Sequence, residues 1–280
     1  MQHITSETLI QMKKAQQKIV CITAYDYSTA KIIDKSGIDL ILVGDSAAMV
    51  MMGYKDTCQI GMDEMLIFTK GVANGVENAL LIADMPAGTY ETSLEAGIKN
   101  AKAFIEAGAK GVKLETCNEH ILNLVRELKN LNIPVVAHLG FTPQHVDKLG
   151  GYKVQVKEFA QAQDVLAQAK QLEEAGAIAL VLEMVPEIPA KYISENLTVP
   201  TIGIGAGQYC DGQILVVDDL LGKFSDFTPK FVKKYADLNE VISQAVSSYS
   251  QDVKKGKFPE DVHKFNITEE EKEKFSNARM

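Results

Sequence analysis

Four acids, one lysine and one histidine stand at the ends of short apolar runs. Asp45 and Ser46 follow Leu40–Val43 across Gly44, and Asp84 follows Leu80–Ala83. Lys113 and Glu115 flank Leu114, Glu183 follows Ile178–Leu182, and His138 ends Pro134–His138. Carboxylates that converge at one point repel each other, and a hard divalent cation is the usual remedy, because Mg²⁺ takes one or two carboxylates together with substrate oxygens and water. Asp45, Asp84 and Glu115 end the second, third and fourth runs, so they can share one ion. An acid in such a place can equally cap the next helix or pair with a basic side chain. Lys113 and Glu115 are two residues apart and share one side of a strand. A lysine facing a packed interior must meet a charge, either a substrate carboxylate or a neighbouring acid. Glu183 is the sole polar residue of Leu180–Val185. Desolvation there disfavours its charge and suits it to acid–base work, and a buried acid bonded to backbone is the other outcome. His138, alone, fits a core or supporting role better than a ligand. No His–Asp pair is placed to activate Ser46, so its hydroxyl reads as a donor to a substrate carboxylate or as a helix cap rather than a nucleophile.

These residues need elements to carry them. The chain has eight short runs rich in Val, Ile and Leu: Ile19–Ala24, Leu40–Val43, Leu80–Ala83, Gly111–Leu114, Pro134–His138, Ile178–Leu182, Thr201–Ile204 and Ile214–Val217. Apolar runs without polar alternation predict strands covered on both faces. Between them, helical spacing appears over Ser28–Ser36 (Ala30, Ile32, Ile33), Thr92–Ala107 (Leu94, Ile98, Ala101, Phe104, Ile105), Asn118–Leu131 (Ile121, Leu124, Val125, Leu128) and Glu158–Ala175 (Phe159, Ala162, Val165, Leu166, Ala169, Leu172). Gly37, Gly108 and Gly176 stand where helices end. The alternation predicts a (β/α)₈ barrel. A doubly wound open sheet is the alternative, and the absence of a GxGxxG after the first run disfavours it. Leu139–Lys157 reads as an insertion after the fifth strand, and Gly205–Gln213 is too short for a crossover helix. In this fold the active site lies at the C-terminal ends of the strands, where the acids stand. Met1–Lys14 reads as a leading helix that plugs the barrel bottom, and Pro229–Val253 as a helix. Asp252–Met280, evenly charged and poor in apolar residues, reads as a solvated tail or an oligomer arm.

Composition removes several classes of function. Of 280 residues, 46% are hydrophobic and 24% charged, as in an ordinary soluble globular protein. A net charge of −8 and a pI near 5.3 argue against nucleic-acid binding, which runs on basic side chains. The start shows no secretory signal, and runs such as Ala79–Ala83 fall far short of the roughly 20 apolar residues of a membrane helix. Cys21, Cys58, Cys117 and Cys210 are far apart, which fits a reducing cytoplasm and argues against structural zinc.

The runs and the residues that follow them resemble ketopantoate hydroxymethyltransferases. The resemblance rests on Ile22-Thr23-Ala24-Tyr25-Asp26, Val43-Gly44-Asp45-Ser46, Ala83-Asp84-Met85-Pro86, Val112-Lys113-Leu114-Glu115 and His138-Leu139-Gly140-Phe141-Thr142-Pro143-Gln144. It continues through Gly150-Gly151-Tyr152-Lys153-Val154-Gln155, Leu182-Glu183-Met184-Val185-Pro186, and Ile202-Gly203-Ile204-Gly205-Ala206-Gly207 to Asp211-Gly212-Gln213. The order also matches, over about residues 3–265, which leaves 266–280 as a charged tail. The resemblance implies a (β/α)₈ barrel of the phosphoenolpyruvate/pyruvate superfamily, active in the cytoplasm as a large homo-oligomer, typically a decamer. It implies hydroxymethyl transfer from 5,10-methylenetetrahydrofolate to 3-methyl-2-oxobutanoate, giving 2-dehydropantoate for pantothenate and coenzyme A synthesis, through an enolate stabilised by Mg²⁺. Asp45 and Asp84 would bind the metal with Glu115 close to it. Asp45, Ser46, Asp84 and Lys113 would contact the keto acid, and Glu183 would accept the proton. The partners so implied are a 2-oxo acid and a folate, with neither nucleic acid nor membrane. Ala47–Thr57 departs from the family pattern, and Val156 stands where Gly is common. Related carbon–carbon lyases carry a Lys-Lys-Cys-Gly-His loop that is absent here. A scaffold that had lost turnover would not need Asp45, Asp84, Lys113, Glu115 and Glu183 together.

Overall fold

The computed structural model describes residues 3–146, 151, 153–224 and 227–278. Eight parallel strands close into a barrel in sequence order: β1 Ile19–Thr23, β2 Leu40–Val43, β3 Leu80–Asp84, β4 Gly111–Glu115, β5 Val135–Gly140, β6 Ala179–Glu183, β7 Thr201–Ile204 and β8 Gly212–Leu215. The barrel is as expected from the rhythm of apolar runs. The helices are α1 Ser6–Lys14, α2 Tyr27–Asp34, α3 Ala47–Val50, α4 Met62–Ala73, α5 Leu94–Glu106, α6 Glu119–Asn130, α7 Phe159–Ala175, α8 Glu187–Glu195, α9 Val217–Leu220, α10 Leu238–Lys254 and α11 Glu269–Asn277.

Strand parity divides the core in two. Ile19, Cys21, Leu40, Leu42, Leu80, Ile82, Val136, Val181, Ile202 and Ile214 point inward and pack together. Their neighbours Ile41, Val43, Leu81, Ala83, Val112, Leu114, Leu180 and Leu182 point outward against the helices, meeting Phe104, Leu124, Leu128 and Leu172. Leu9 and Met12 of α1 join the inner cluster, so the leading helix closes the barrel floor. Asp34 at the end of α2 accepts the backbone N–H groups of Glu77, Asn78 and Ala79, which fixes the entry to β3.

Several boundaries differ from the sequence expectation. Ile32 and Phe159, assigned to the buried faces of their helices, are 68% and 66% exposed. Phe159 instead lies against Tyr192, with ring centroids 5.5 Å apart. The eighth strand begins at Gly212, and Val217 opens α9. The helix expected over Pro229–Val253 starts only at Leu238. The N–H groups of Tyr235, Leu238 and Asn239 bond to the carbonyls of Leu220, Leu221 and Gly222, which holds the preceding segment extended, and Asp237 then caps α10. The residues between β7 and β8 hold no helix, as their number predicts. The charged tail contains α11, exposed throughout and laced by pairs such as Lys272–Glu269 and Lys274–Glu270. Of the expected Gly150–Gln155 motif, Gly150 and Tyr152 lie outside the described residues.

Candidate active site

Parallel register brings the predicted residues to one end of the barrel. Asp84 of β3 pairs with Lys113 of β4, Glu115 of β4 with His138 of β5, and Gly140 of β5 with Glu183 of β6. Because Asp84, Lys113, Glu115, His138 and Glu183 share the inward parity, they form a polar layer above the apolar interior. The first four are buried, and the Glu183 side chain is 16% exposed.

Lys113 is the hub. Its Nζ donates to both oxygens of Asp84 at 2.8 Å and to Glu115 Oε1 at 3.3 Å. Of the two outcomes open to this lysine, the structure shows the ion pair. Burial pulls the ammonium towards its neutral form, but Asp84, Glu115 and Asp45 outweigh it and hold its pKa above the ordinary lysine value. Burial likewise raises Glu115, but Lys113 and hydrogen bonds overcome it and hold that carboxyl ionised. Asp45 and Asp84 go the other way. Burial and then the neighbouring Asp84 push Asp45 well above the usual carboxylate range. Burial also raises Asp84, with Glu115 adding to it against the pull of Lys113.

His138 joins Glu115 to Glu183. Its Nδ1 lies 3.0 Å from Glu115 Oε1 and its Nε2 lies 3.4 Å from Glu183 Oε2. Burial lowers the imidazole pKa, so the ring is neutral, and the ionised Glu115 draws the ring proton to Nδ1. Nε2 then presents its lone pair towards Glu183 and makes no hydrogen bond among the described residues. Burial, then Glu115, raises Glu183 well above its ordinary pKa. Of the readings open for Glu183, a desolvated acid facing an imidazole matches better than one satisfied by backbone.

Ser46 sits at the start of α3 but makes no capping bond. Its Oγ lies 2.7 Å from the buried Tyr25 hydroxyl. Asp26, the strand-end acid of β1, does cap: it accepts the N–H of Thr29 at 2.9 Å and starts α2. The structure adds two residues that the strand-end reading did not single out. Gln144, in the turn Pro143–His145, donates from its backbone N to Glu115 Oε2 and from Nε2 to Asp45 Oδ2, both at 3.0 Å. Tyr90, fully buried, donates to Gln144 Oε1 at 2.7 Å. Gln144 lay within the matched His138–Gln144 motif. Tyr90 sits in a loop after β3 that carries no periodic signal.

Backbone strain gathers at the same place. Thr116 and Met184, each just after a site glutamate, adopt φ of +70° and +49°, and Val156 holds +57°. Left-handed φ is rare for side chains other than Gly, Asn and Asp, least tolerable for a branched one, and recurs at functional sites. Val156 thus stands where glycine is the easier choice. Among the described residues, no three His, Cys, Asp or Glu side chains are arranged as a ready metal cage.

Barrel and site define an enzyme-type (β/α)₈ fold with a buried acidic mouth. Its solved neighbours include phosphonopyruvate hydrolase in complex with oxalate and Mg²⁺, at a TM-score of 0.61 and 14% identity over 99% of this chain and 96% of that one. Another is 2,3-dimethylmalate lyase, described as a PEP mutase/isocitrate lyase superfamily member, at 0.59 and 15% over 98% of each chain. Likeness at this identity speaks for the fold. Sequence comparison goes further. The profile described as Ketopantoate hydroxymethyltransferase matches residues 3–261. A 3-methyl-2-oxobutanoate hydroxymethyltransferase of Clostridium botulinum (strain Loch Maree / Type A3) is 50% identical over 270 residues, 95% of this chain and 97% of that protein. Its counterpart in Caldicellulosiruptor bescii is 46% identical over 265 residues, 95% and 100% of the respective lengths. The chain belongs to the ketopantoate hydroxymethyltransferase family of enzymes.

Proposed function

We propose that this enzyme transfers a hydroxymethyl group from 5,10-methylenetetrahydrofolate to 3-methyl-2-oxobutanoate, giving 2-dehydropantoate and opening pantothenate and coenzyme A synthesis in the cytoplasm. The observation that carries the reading is the charge balance of the buried layer. Four carboxyl groups, Asp45, Asp84, Glu115 and Glu183, face one ammonium, Lys113, and the neutral imidazole of His138, with His145 Nδ1 3.9 Å from Glu115 Oε2. Burial first, with neighbouring carboxylates adding to it, raises the pKa values of Asp45 and Asp84.

A hard divalent cation fits these oxygen donors, and Asp45, Asp84 and Glu115 would hold Mg²⁺. When bound, the ion supplies Lewis acidity towards the 2-oxo group and so makes the C3 hydrogen of the keto acid removable. The protein's own groups do the rest. Lys113 neutralises the substrate carboxylate and, with Ser46, Asp45 and Asp84, fixes its pose. Tyr25 orients the Ser46 hydroxyl for that contact. Glu183 takes the C3 proton, and its desolvation makes the carboxylate a stronger base than one in water. His138, 3.4 Å from Glu183 through Nε2 and bonded to Glu115 through Nδ1, is the neighbour that can accept a proton from Glu183 once that carboxyl is protonated. One water enters the balance: it supplies the hydroxyl oxygen as the carbon–nitrogen bonds of the methylene bridge break, the enolate forms the new carbon–carbon bond to that carbon, and tetrahydrofolate leaves. Ala47–Asp63, with Met51 and Met52 exposed on it, closes over the site as a lid and keeps bulk water from the enolate. The exposed apolar stripe of α10 supports a homo-oligomer, which we propose to be a decamer.

Conversion of 3-methyl-2-oxobutanoate and 5,10-methylenetetrahydrofolate to 2-dehydropantoate in the presence of Mg²⁺ tests this reading directly. Without folate, the parent enzyme should exchange the C3 hydrogen for deuterium only when Mg²⁺ is present, and Asp84→Ala should abolish that exchange. Exchange retained in Asp84→Ala removes Asp84 from the metal site. Absence of turnover in the folded parent protein overturns the assignment.

A further inference from the structure

Asp45 is the site acid with the least support from its own surroundings. It sits beyond β2 rather than within it, where its backbone N–H donates to Asp84 Oδ2 of β3 at 3.3 Å, and no ammonium lies within ion-pair distance of it among the described residues. Its side chain accepts a hydrogen bond from Nε2 of Gln144 at 3.0 Å. That amide is itself oriented from three sides. Nε2 also lies 3.0 Å from the Met85 carbonyl, a pure acceptor that requires a nitrogen at that position. On the other side, the Tyr90 hydroxyl accepts the Glu115 N–H at 3.2 Å and passes its own proton to Gln144 Oε1 at 2.7 Å. Turning the amide over would set its oxygen against the Asp45 and Met85 oxygens. The direction of every bond is therefore fixed from the β4 backbone through Tyr90 and Gln144 to Asp45. The Gln144 backbone N also donates to Glu115 Oε2 at 3.0 Å. One residue thus ties together two acids that come from strands separated by β3.

We infer that Tyr90 and Gln144 form a positioning pair that restrains the Asp45 and Glu115 carboxylates relative to each other and so favours their joint capture of a divalent cation. Neither residue touches substrate: Gln144 acts on the two acids, and Tyr90 acts through Gln144. The inference rests on the metal reading above and extends it to residues outside the donor set. Groups that orient metal ligands by hydrogen bonds are worth about 10- to 100-fold in metal affinity. Tyr90→Phe removes one oxygen from a filled site, deletes the bond to Gln144 Oε1 and so loosens the amide while its Nε2 bonds remain. Gln144→Glu keeps the shape but places an acceptor against Asp45 and Met85.

The test is Mn²⁺ alone titrated into the full-length protein, with free ion followed by its electron paramagnetic resonance signal and folding by circular dichroism. Relative to parent, Tyr90→Phe should bind about 10-fold more weakly and Gln144→Glu about 100-fold more weakly. A residue that only fills space would leave ion affinity unmoved while lowering the unfolding midpoint. If Gln144→Glu does not fold, Tyr90→Phe carries the test, being smaller by one atom. Parent binding with Tyr90→Phe and folded Gln144→Glu within twofold of it overturns the positioning role and leaves the metal reading standing. A parent that binds no Mn²⁺ overturns both.

Discussion

At the scale of single residues, the site separates two kinds of acid by what surrounds them. Glu115 is kept ionised by Lys113 against its own burial, whereas Glu183 pairs with no lysine or arginine among the described residues and is raised by burial and then by Glu115. A base must be ionised to accept a proton. Deuterium exchange at substrate C3 should therefore rise with pH through a midpoint above the ordinary carboxylate range. Glu183→Gln, which keeps the shape, should slow exchange by about 10²-fold or more and erase that rising limb, with keto-acid binding nearly intact. A rate and pH profile equal to those of the parent would assign the base elsewhere. Parity made much of this legible in the sequence. Lys113 and Glu115 had to share a side, and the strand-end positions of Asp84, His138 and Glu183 follow from the lengths of the apolar runs. Gln144 and Tyr90 were not legible in that way. They come from loops, where no period links position to direction, and their contacts form only when three separate strands have closed.

At the scale of elements, the end of β5 decides where Glu183 lies. Gly140 takes φ +94°, and a Cβ there would come 2.5 Å from the Glu183 carbonyl oxygen and 2.7 Å from Val185 Cγ2. The next residue, Phe141, donates its N–H to that same carbonyl at 2.8 Å. Gly140→Ala would suffer both left-handed strain, about 1–3 kcal/mol, and a clash that moves the Glu183 backbone. It should lower the melting temperature and the exchange rate together. Gly37 provides the contrast, because at φ +82° its Cβ position meets nothing within 4 Å. Gly37→Ala should therefore cost stability but leave exchange per folded molecule at the parent rate. Equal exchange rates in the two variants would show that the β5 end does not set Glu183. Element boundaries were less legible than element order. The helix before Leu238 was lost to backbone bonds with the end of α9, a contact between segments that local spacing does not report.

At the scale of the molecule, α10 stands apart from the barrel. It has no buried residue, and Ile242, Val246, Tyr249 and Val253 form an exposed stripe along one face. Such a stripe on a 17-residue helix favours association. Ile242→Glu combined with Val246→Glu should shift the protein to a smaller species in sedimentation at micromolar concentration, with the circular dichroism of the barrel retained. An unchanged sedimentation coefficient would place the subunit contacts on another surface. Among the described residues, no helix is long and apolar enough to cross a membrane.

The leading helix has a consequence for the order of events. Leu9 and Met12 stop the lower opening, and the inward side chains above them leave no channel through the barrel. Traffic is confined to a single doorway at the acidic rim. For the reaction proposed above, one entrance would favour a queue, with the small acid settling at the bottom before the bulky carrier arrives and the spent carrier departing before the enlarged acid follows.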